Sequence, residues 1–225
     1  MDGFLNINKP VGMSSFDVIR VLRRKLGKVK MGHTGTLDPL ASGVLPIAVG
    51  KATKQIPSLP KEKEYIAEII LGTQTTTDDQ EGEVIRDEDA SKITQQEIED
   101  SINKSFLGKI MQKPPFFSAI HYKGERLYKL ARAGKAPASE EIKDREVEIY
   151  DFKILDFHKD GNKVIIKCCI QCSGGTYIRS IARDLGEKLS VGGTLLSLVR
   201  TLSGGFRIKE SVKVDEVLFD KIIQI

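Results

Sequence analysis

A single carboxylate, Asp38, stands in the stretch GHTGTLDPLASG, where glycine and proline shape the backbone. Three chemistries suit such a residue. An aspartate before proline in a Gly-rich loop can accept local backbone N–H bonds and make a turn. A metal ligand would need further carboxylates or imidazoles nearby, and the chain has only His33, His121 and His158. A nucleophile needs close access to its substrate, which Gly32 and Gly35 permit, and polar neighbours, which His33 and Thr34 supply.

A carboxylate buried against a substrate stays ionised only beside a cation. Arg179, opening a predicted helix after the Gly-rich turn in SGGTYIRS, is the best candidate. An arginine grips a carboxylate in bidentate geometry and does not lose its charge.

The elements that must carry these residues follow from hydrophobic spacing. Ser14-Ser15 reads as an N-cap for a helix FDVIRVLRRKLG, with Phe16, Ile19, Leu22 and Leu26 as its buried stripe and Gly27 as its terminator. Arg20, Arg23, Arg24 and Lys25 then face elsewhere, with Lys28 and Lys30 just beyond, so a basic face sits beside the Asp38 loop. GVLPIAVG reads as a buried strand in which Pro46 marks an edge or irregular position. In YIAEIIL, Tyr65, Ala67, Ile69 and Leu71 alternate onto one face. Thr94 and Glu97 form a capping box for a helix burying Ile98, Ile102 and Phe106. REVEIYDFKILDF and KVIIKCCIQC are two strands joined by the five-residue hairpin connection HKDGN. The helix YIRSIARDLGEKL buries Ile178, Ile181, Leu185 and Leu189, and the C-terminal part mixes strand, turn and short helix. Strands interrupted by a few helices predict an α+β domain with a mixed, mainly antiparallel sheet, flanked by helices.

The net charge of +4 is unevenly spread. Residues 1–60 hold nine basic and three acidic side chains, a net of +6, whereas residues 78–100 hold two and ten, a net of −8. Such segregation suits a polyanion on the basic side, although clustered solvated faces would look the same. Between core strands, Lys123, Arg126, Lys129, Arg132 and Lys135 recur every third residue around Tyr122 and Tyr128. Cations for phosphates and rings for bases are what unpaired RNA requires, so residues 110–140 read as a basic RNA-binding insertion. An ordinary solvated helix is the alternative. Cys169 and Cys172 form a C-x-x-C, but on a strand they point to opposite faces and read as small packed thiols. With no leader-like start and no long apolar run, one cytoplasmic domain spanning 1–225 is expected.

Six motifs, in order, resemble the bacterial TruB-type tRNA pseudouridine-55 synthases: INKPVGMSSFDVI, GHTGTLDPLASGVLPIAVGKATK, KEYIAEIILGTQTTTDDQEGE, PPFFSAIHYKGERLYKLARAG, CSGGTYIRSIARDLGEKL and LLSLVRTLSGGF. The resemblance implies the pseudouridine synthase fold with its catalytic cleft, and isomerisation of a uridine in the tRNA T-loop. It makes Asp38 the nucleophile and Arg179 its partner. Tyr65 is expected to stack on the flipped base, Leu198 to pack below it and Tyr177 to contact substrate. His33 is expected to hold the displaced nucleotide, and Arg20, Arg23, Arg24, Lys123, Arg126, Lys129 and Arg132 to meet RNA phosphates. No cofactor or metal is implied, and a monomer is expected. The chain departs from the family pattern at Thr76 and Val199, and ends where many relatives continue into a C-terminal PUA domain, so the catalytic domain is expected to grip RNA alone. A non-catalytic tRNA-folding chaperone or RNA-binding module, or a glycoside hydrolase using Asp38 and a second carboxylate, are the competing functions.

Overall fold

The computed structural model describes residues 2–217 and 222–223. The chain runs β1 (Gly3–Lys9), α1 (Ser15–Leu26), β2 (Met31–His33), β3 (Ala41–Val49) and β4 (Lys63–Leu71). It continues β5 (Thr73–Thr75), β6 (Val84–Asp87), α2 (Gln95–Ser105), β7 (Gly108–Gln112), β8 (His121–Tyr122), β9 (Glu125–Arg126) and α3 (Leu127–Arg132). It ends β10 (Arg145–Asp160), β11 (Lys163–Cys172), α4 (Ile178–Lys188), β12 (Gly193–Ser203), β13 (Phe206–Arg207) and β14 (Val212–Lys213). Part of the predicted C-terminal mixture lies outside the described residues. Among the described residues, no helix is long and apolar enough to cross a membrane.

These elements form two compact units, residues 1–66 with 197–225, and residues 67–196. In the first, strands order β14-β1-β3-β12, with β2 adding to β3 and β13 to β12. β1 pairs antiparallel with β3, while β14 on β1 and β12 on β3 are parallel. Pro46 sits where the partner of β3 changes, after β12 leaves at Gly43 and before β2 joins at Ile47, so its missing N–H breaks no ladder. The core gathers Phe4, Val44, Ala48, Ala52 and Phe206. The rings of Phe4 and Phe206 lie 5.7 Å apart.

The helix α1 begins as its sequence directs. Ser14 accepts from the Asp17 N–H, and Asp17 accepts in return from Ser14 N. Its buried stripe is Ser15, Val18, Ile19, Leu22 and Leu26, not the predicted one through Phe16, which is 56% exposed. At about 100° per residue Phe16 falls well to the side of that stripe, and the Arg20 guanidinium covers its ring.

The second unit takes in most of β4, and β4, β11, β10 and β7 follow one another in the sheet. The alternation in β4 is as read: Tyr65, Ala67, Ile69 and Leu71 are all buried. Each buried Ile or Leu there contributes ~2 kcal/mol. Thr94 and Glu97 cap α2 reciprocally, and Ile98, Ile102 and Phe106 are buried. The β10–β11 connection is shorter than predicted. The strands pair as far as Asp160 and Lys163, so only Gly161 and Asn162 make the turn, with Gly161 at φ 58°. Cys168 and Cys172 are buried and Cys169 is half-buried, as packed thiols on alternating faces. In α4, Leu189 is half-buried rather than core, because it caps the helix end.

Candidate active site

Asp38 lies half-buried in the connection between β2 and β3, flanked by buried Leu37 and Leu40. Every residue from 34 to 39 is tied through its backbone. Thr34 N donates to Pro46 O at 3.1 Å, and Asp38 O accepts from Ala41 N at 3.1 Å, closing a turn around Pro39. Pro39 O accepts from Gly12 N at 2.8 Å. Ser15, in the first turn of α1, holds Leu37 both ways, its Oγ donating to Leu37 O at 3.1 Å and accepting from Leu37 N at 2.8 Å. Gly35 and Thr36 offer their carbonyls to the Arg200 guanidinium at 3.1 and 3.4 Å. The Arg200 Nε donates to Val44 O at 2.8 Å. The turn-forming and nucleophilic readings of Asp38 are therefore compatible in one loop. The turn closes through the backbone oxygen of Asp38, so closing it does not consume the carboxylate.

Among the described residues of this unit, Arg200 and Lys9 are fully buried cations. Lys9 Nζ donates to Pro10 O at 2.9 Å and Met13 O at 2.6 Å. Burial pulls its ammonium down to about 8, against the attraction of the Asp38 carboxylate and with the repulsion of Arg200. Burial and the Arg200 charge also hold the His33 imidazole below its ordinary value, so it is neutral at pH 7. Among the described residues, His33 Nδ1 and Thr34 Oγ1 are buried without a hydrogen-bond partner. Leu198 on β12 pairs with Ala41 in the parallel ladder, which places it beside the turn that Asp38 opens, and Tyr65 is buried on β4.

Tyr177 and Arg179 belong to the second unit. Gln112, at the end of β7, anchors the start of α4, its Oε1 accepting from Tyr177 N at 2.8 Å and its Nε2 donating to Tyr177 O at 3.1 Å. The Arg179 guanidinium donates to Thr77 O at 3.1 Å and Phe117 O at 2.9 Å, and lies 3.5 Å from the Asp79 carboxylate. Asp79 is oriented in turn by Thr77 Oγ1 at 2.6 Å and Glu81 N at 3.1 Å. One turn along α4, Arg183 pairs with Asp78 at 3.0 Å. The acidic stretch TTTDDQEG is thus a clamp for the two arginines of α4.

The basic insertion differs from a helix with a cation every third residue. Lys123 at φ 46° and Gly124 at φ 92° turn the chain between β8 and β9, and only Lys129 and Arg132 lie on α3. Lys123 sits over the Tyr122 ring and Arg132 over Tyr128, while Arg126 donates to Ala119 O. On α1, Arg20 pairs with Asp17, and Arg23 and Arg24 are exposed.

Residues 23–178 match the family described as TruB family pseudouridylate synthase, N-terminal domain. The chain belongs to the TruB family. It is 49% identical over 215 residues to tRNA pseudouridine synthase B of Acaryochloris marina (strain MBIC 11017), covering 94% of this chain and 72% of that protein. The Clostridium tetani (strain Massachusetts / E88) protein of the same name is 44% identical over 218 residues, covering 96% and 73%. Two solved structures are similar in fold. One is a Cbf5-Nop10-Gar1 complex (TM-score 0.69, 29% identity, 95% of this chain and 54% of that one). The other is an H/ACA RNP bound to a substrate RNA containing 2′-deoxyuridine (TM-score 0.68, 26% identity, 99% and 58%). The chain therefore spans little more than half the length of those structural relatives. The TruB family accounts for the α+β architecture.

Sequence reasoning missed Ser15, Gln112, Lys9 and Arg200 as supports of the site. The only signals were position: Lys9 and Ser15 flank the NKPVGMSS turn, and Arg200 lies two residues after Leu198.

Proposed function

We propose that this chain isomerises uridine to pseudouridine at position 55 in the T-loop of tRNA, with Asp38 as nucleophile. The observation that carries this reading is the fully tethered loop 34–39, which fixes one carboxylate in a TruB-family chain. A reacting group held this way has its orientational entropy removed before the substrate arrives.

In this reading, residues 1–225 act as one catalytic domain on tRNA, as a monomer in the cytoplasm. The target base must leave its stack to be reached. Asp38 attacks the ribose or the base of the everted uridine, and the N1–C1′ bond breaks. The uracil turns, the bond from Asp38 to the substrate breaks and returns the free carboxylate, the C5–C1′ bond forms, and the proton lost from C5 balances the one gained at N1. Substrate and product are isomers, so no electron or group donor enters. Arg179 is the cationic partner of Asp38 in this reading. Its guanidinium is aimed by Asp79, Thr77 and Phe117. Tyr65 stacks on the base, Leu198 packs against it and Tyr177 contacts it. His33, neutral and with an unpartnered Nδ1, bonds the displaced nucleotide. The insertion 110–140, through Lys123, Arg126, Lys129 and Arg132, and α1, through Arg20, Arg23 and Arg24, meet phosphates.

The test is incubation with an unmodified tRNA transcript, followed by mapping of pseudouridine. Wild type should place it at position 55. Asp38→Asn should make none while still binding the transcript. Product from Asp38→Asn, or none from wild type, overturns the reading.

A further inference from the structure

The last two turns of α1 and the segment after it enclose a groove of about 730 Å³, lined by Arg20, Arg23, Arg24, Lys28, Val29 and Lys30. Arg20, Arg23 and Arg24 are spaced i, i+3, i+4 and so share one helix face. Gly27, at φ 83°, takes the chain out of the helix, and residues 28–30 supply the rest of the lining before β2 begins. The lining has five cations, no carboxylate and no aromatic ring.

The cations of this face are not equivalent. Lys25, outside the groove, is spent on structure and donates to Asp215 O. Arg20 is partly neutralised by Asp17 and rests on the Phe16 ring. Arg23, Arg24, Lys28 and Lys30 are exposed and have no ion-pair partner among the described residues. The helix C-terminus offsets part of the repulsion among the arginines, since its carbonyl dipoles favour cations. It does nothing for Lys28 and Lys30, which lie beyond it. Four uncompensated charges around one concave surface call for an anion with several negative centres.

We propose that this groove seats the phosphate backbone of a base-paired RNA stem, and that it reads no sequence. The proposal rests on RNA being the substrate and adds which part of the RNA is held here. Unpaired bases are gripped by stacking on rings, and this groove has none. Phosphates need only spaced cations, and they position a nucleic acid without specifying it. The insertion is the opposite case, because Tyr122 and Tyr128 stand there beside Lys123 and Arg132. A division of labour follows, with the stem held at the groove and unpaired nucleotides at the insertion. Seven residues lie between Lys30 and Asp38, so the chain itself keeps the Lys30 end of the groove within about 29 Å of Asp38.

The experiment is the salt dependence of binding to a blunt RNA duplex without a loop, and to a T-arm stem–loop, for the full chain. Each phosphate that goes unneutralised reduces the slope of log K against log salt by roughly 0.7–0.9. Neutralising Arg23, Arg24, Lys28 and Lys30 together (Arg→Gln and Lys→Gln) should reduce the slope by about 3 on both RNAs and weaken duplex binding at least tenfold. Exchanging Arg23→Lys and Arg24→Lys should keep the wild-type slope, which separates charge from folding damage. An unchanged slope in the neutralised protein, or duplex binding as tight as wild type, overturns the proposal. Duplex binding is read without catalysis. A wild type that makes no pseudouridine yet shows this slope difference would sink the functional reading and leave the groove assigned.

Discussion

Arg179 and Asp79 form an ion pair inside the second unit, Nη1 to Oδ2 at 3.5 Å, with side chains only 6% and 4% exposed. Sequence reasoning supplied Arg179 as a cation for Asp38 and gave Asp79 no role. The pair shows that the guanidinium is held from its own unit before any substrate chemistry is considered. Removing the carboxylate from a buried pair leaves an uncompensated charge, at a cost of about 3 kcal/mol. Asp79→Ala should therefore lower Tm by roughly 10 °C and also cut pseudouridine formation, because Arg179 loses its aim. Thermal unfolding followed by circular dichroism checks the first part, and an unchanged Tm would show that the pair contributes nothing.

Arg200 occupies the equivalent supporting position in the first unit. Its three donors reach Val44, Thr36 and Gly35. One ammonium cannot span those carbonyls, so Arg200→Lys keeps the charge but releases part of the loop. Losing one or two such bonds, at ~1 kcal/mol each, should lower kcat about tenfold with KM changed less than twofold. A general loss of structure would instead reduce the active fraction and Tm together. Equal proportional changes in KM and kcat, or a kcat like wild type, would remove Arg200 as a positioning residue.

The acidic clamp predicts a pH dependence of stability. Burial pushes the Asp78 carboxyl up to about 6, against the lowering effect of Arg183 and Arg179, from an ordinary value of 3.8. The folded chain thus holds this proton more tightly than the unfolded chain. That preference stabilises the fold fully below pH 3.8 and is lost as pH rises through about 6. Asp78→Asn abolishes the titration while Asp184, also raised by burial, stays in both proteins. The Tm of wild type minus that of Asp78→Asn should fall steadily between about pH 4 and about pH 6.5 and level off above it. A difference that is flat across that window, or rising, contradicts the assignment.

What could be read from the chain was what depends on near neighbours. Ser14 as an N-cap and Thr94 with Glu97 as a capping box announce helix starts because each cap closes within three residues. The strand β4 was legible because burial on one face imposes a period of two. Asp38 stood out because glycine and proline leave few other candidates. The supports did not stand out, because their partners are remote in sequence: Ser15 with Leu37, Gln112 with Tyr177, Arg200 with Gly35. Nothing local distinguishes a serine or arginine that serves a distant carbonyl from one that faces water. In the insertion an ordinary solvated helix stood as the alternative reading, and the Lys123-Gly124 turn breaks any such single helix; that turn signal was already present in the sequence.

Gly43 links these supports to backbone geometry. It takes φ +102°, and a Cβ there would stand 2.3 Å from Arg200 O and 2.8 Å from Arg200 N. Gly43 is also the register partner of Arg200 in the parallel ladder that sets Leu198 beside Ala41. Any side chain must push β12 away from β3 at the position where the Arg200 guanidinium reaches the loop. Gly161 offers a comparison, since it too has positive φ, at 58°, but has nothing within 4 Å of its missing Cβ. Gly161→Ala should cost only the left-handed backbone, ~1–2 kcal/mol, and leave pseudouridine formation intact. Gly43→Ala should lower Tm well beyond that and reduce kcat in the way Arg200→Lys does, because the same loop loses its anchor. If the two alanine variants are equally stable and equally active, close approach of β3 and β12 is not what the glycine provides.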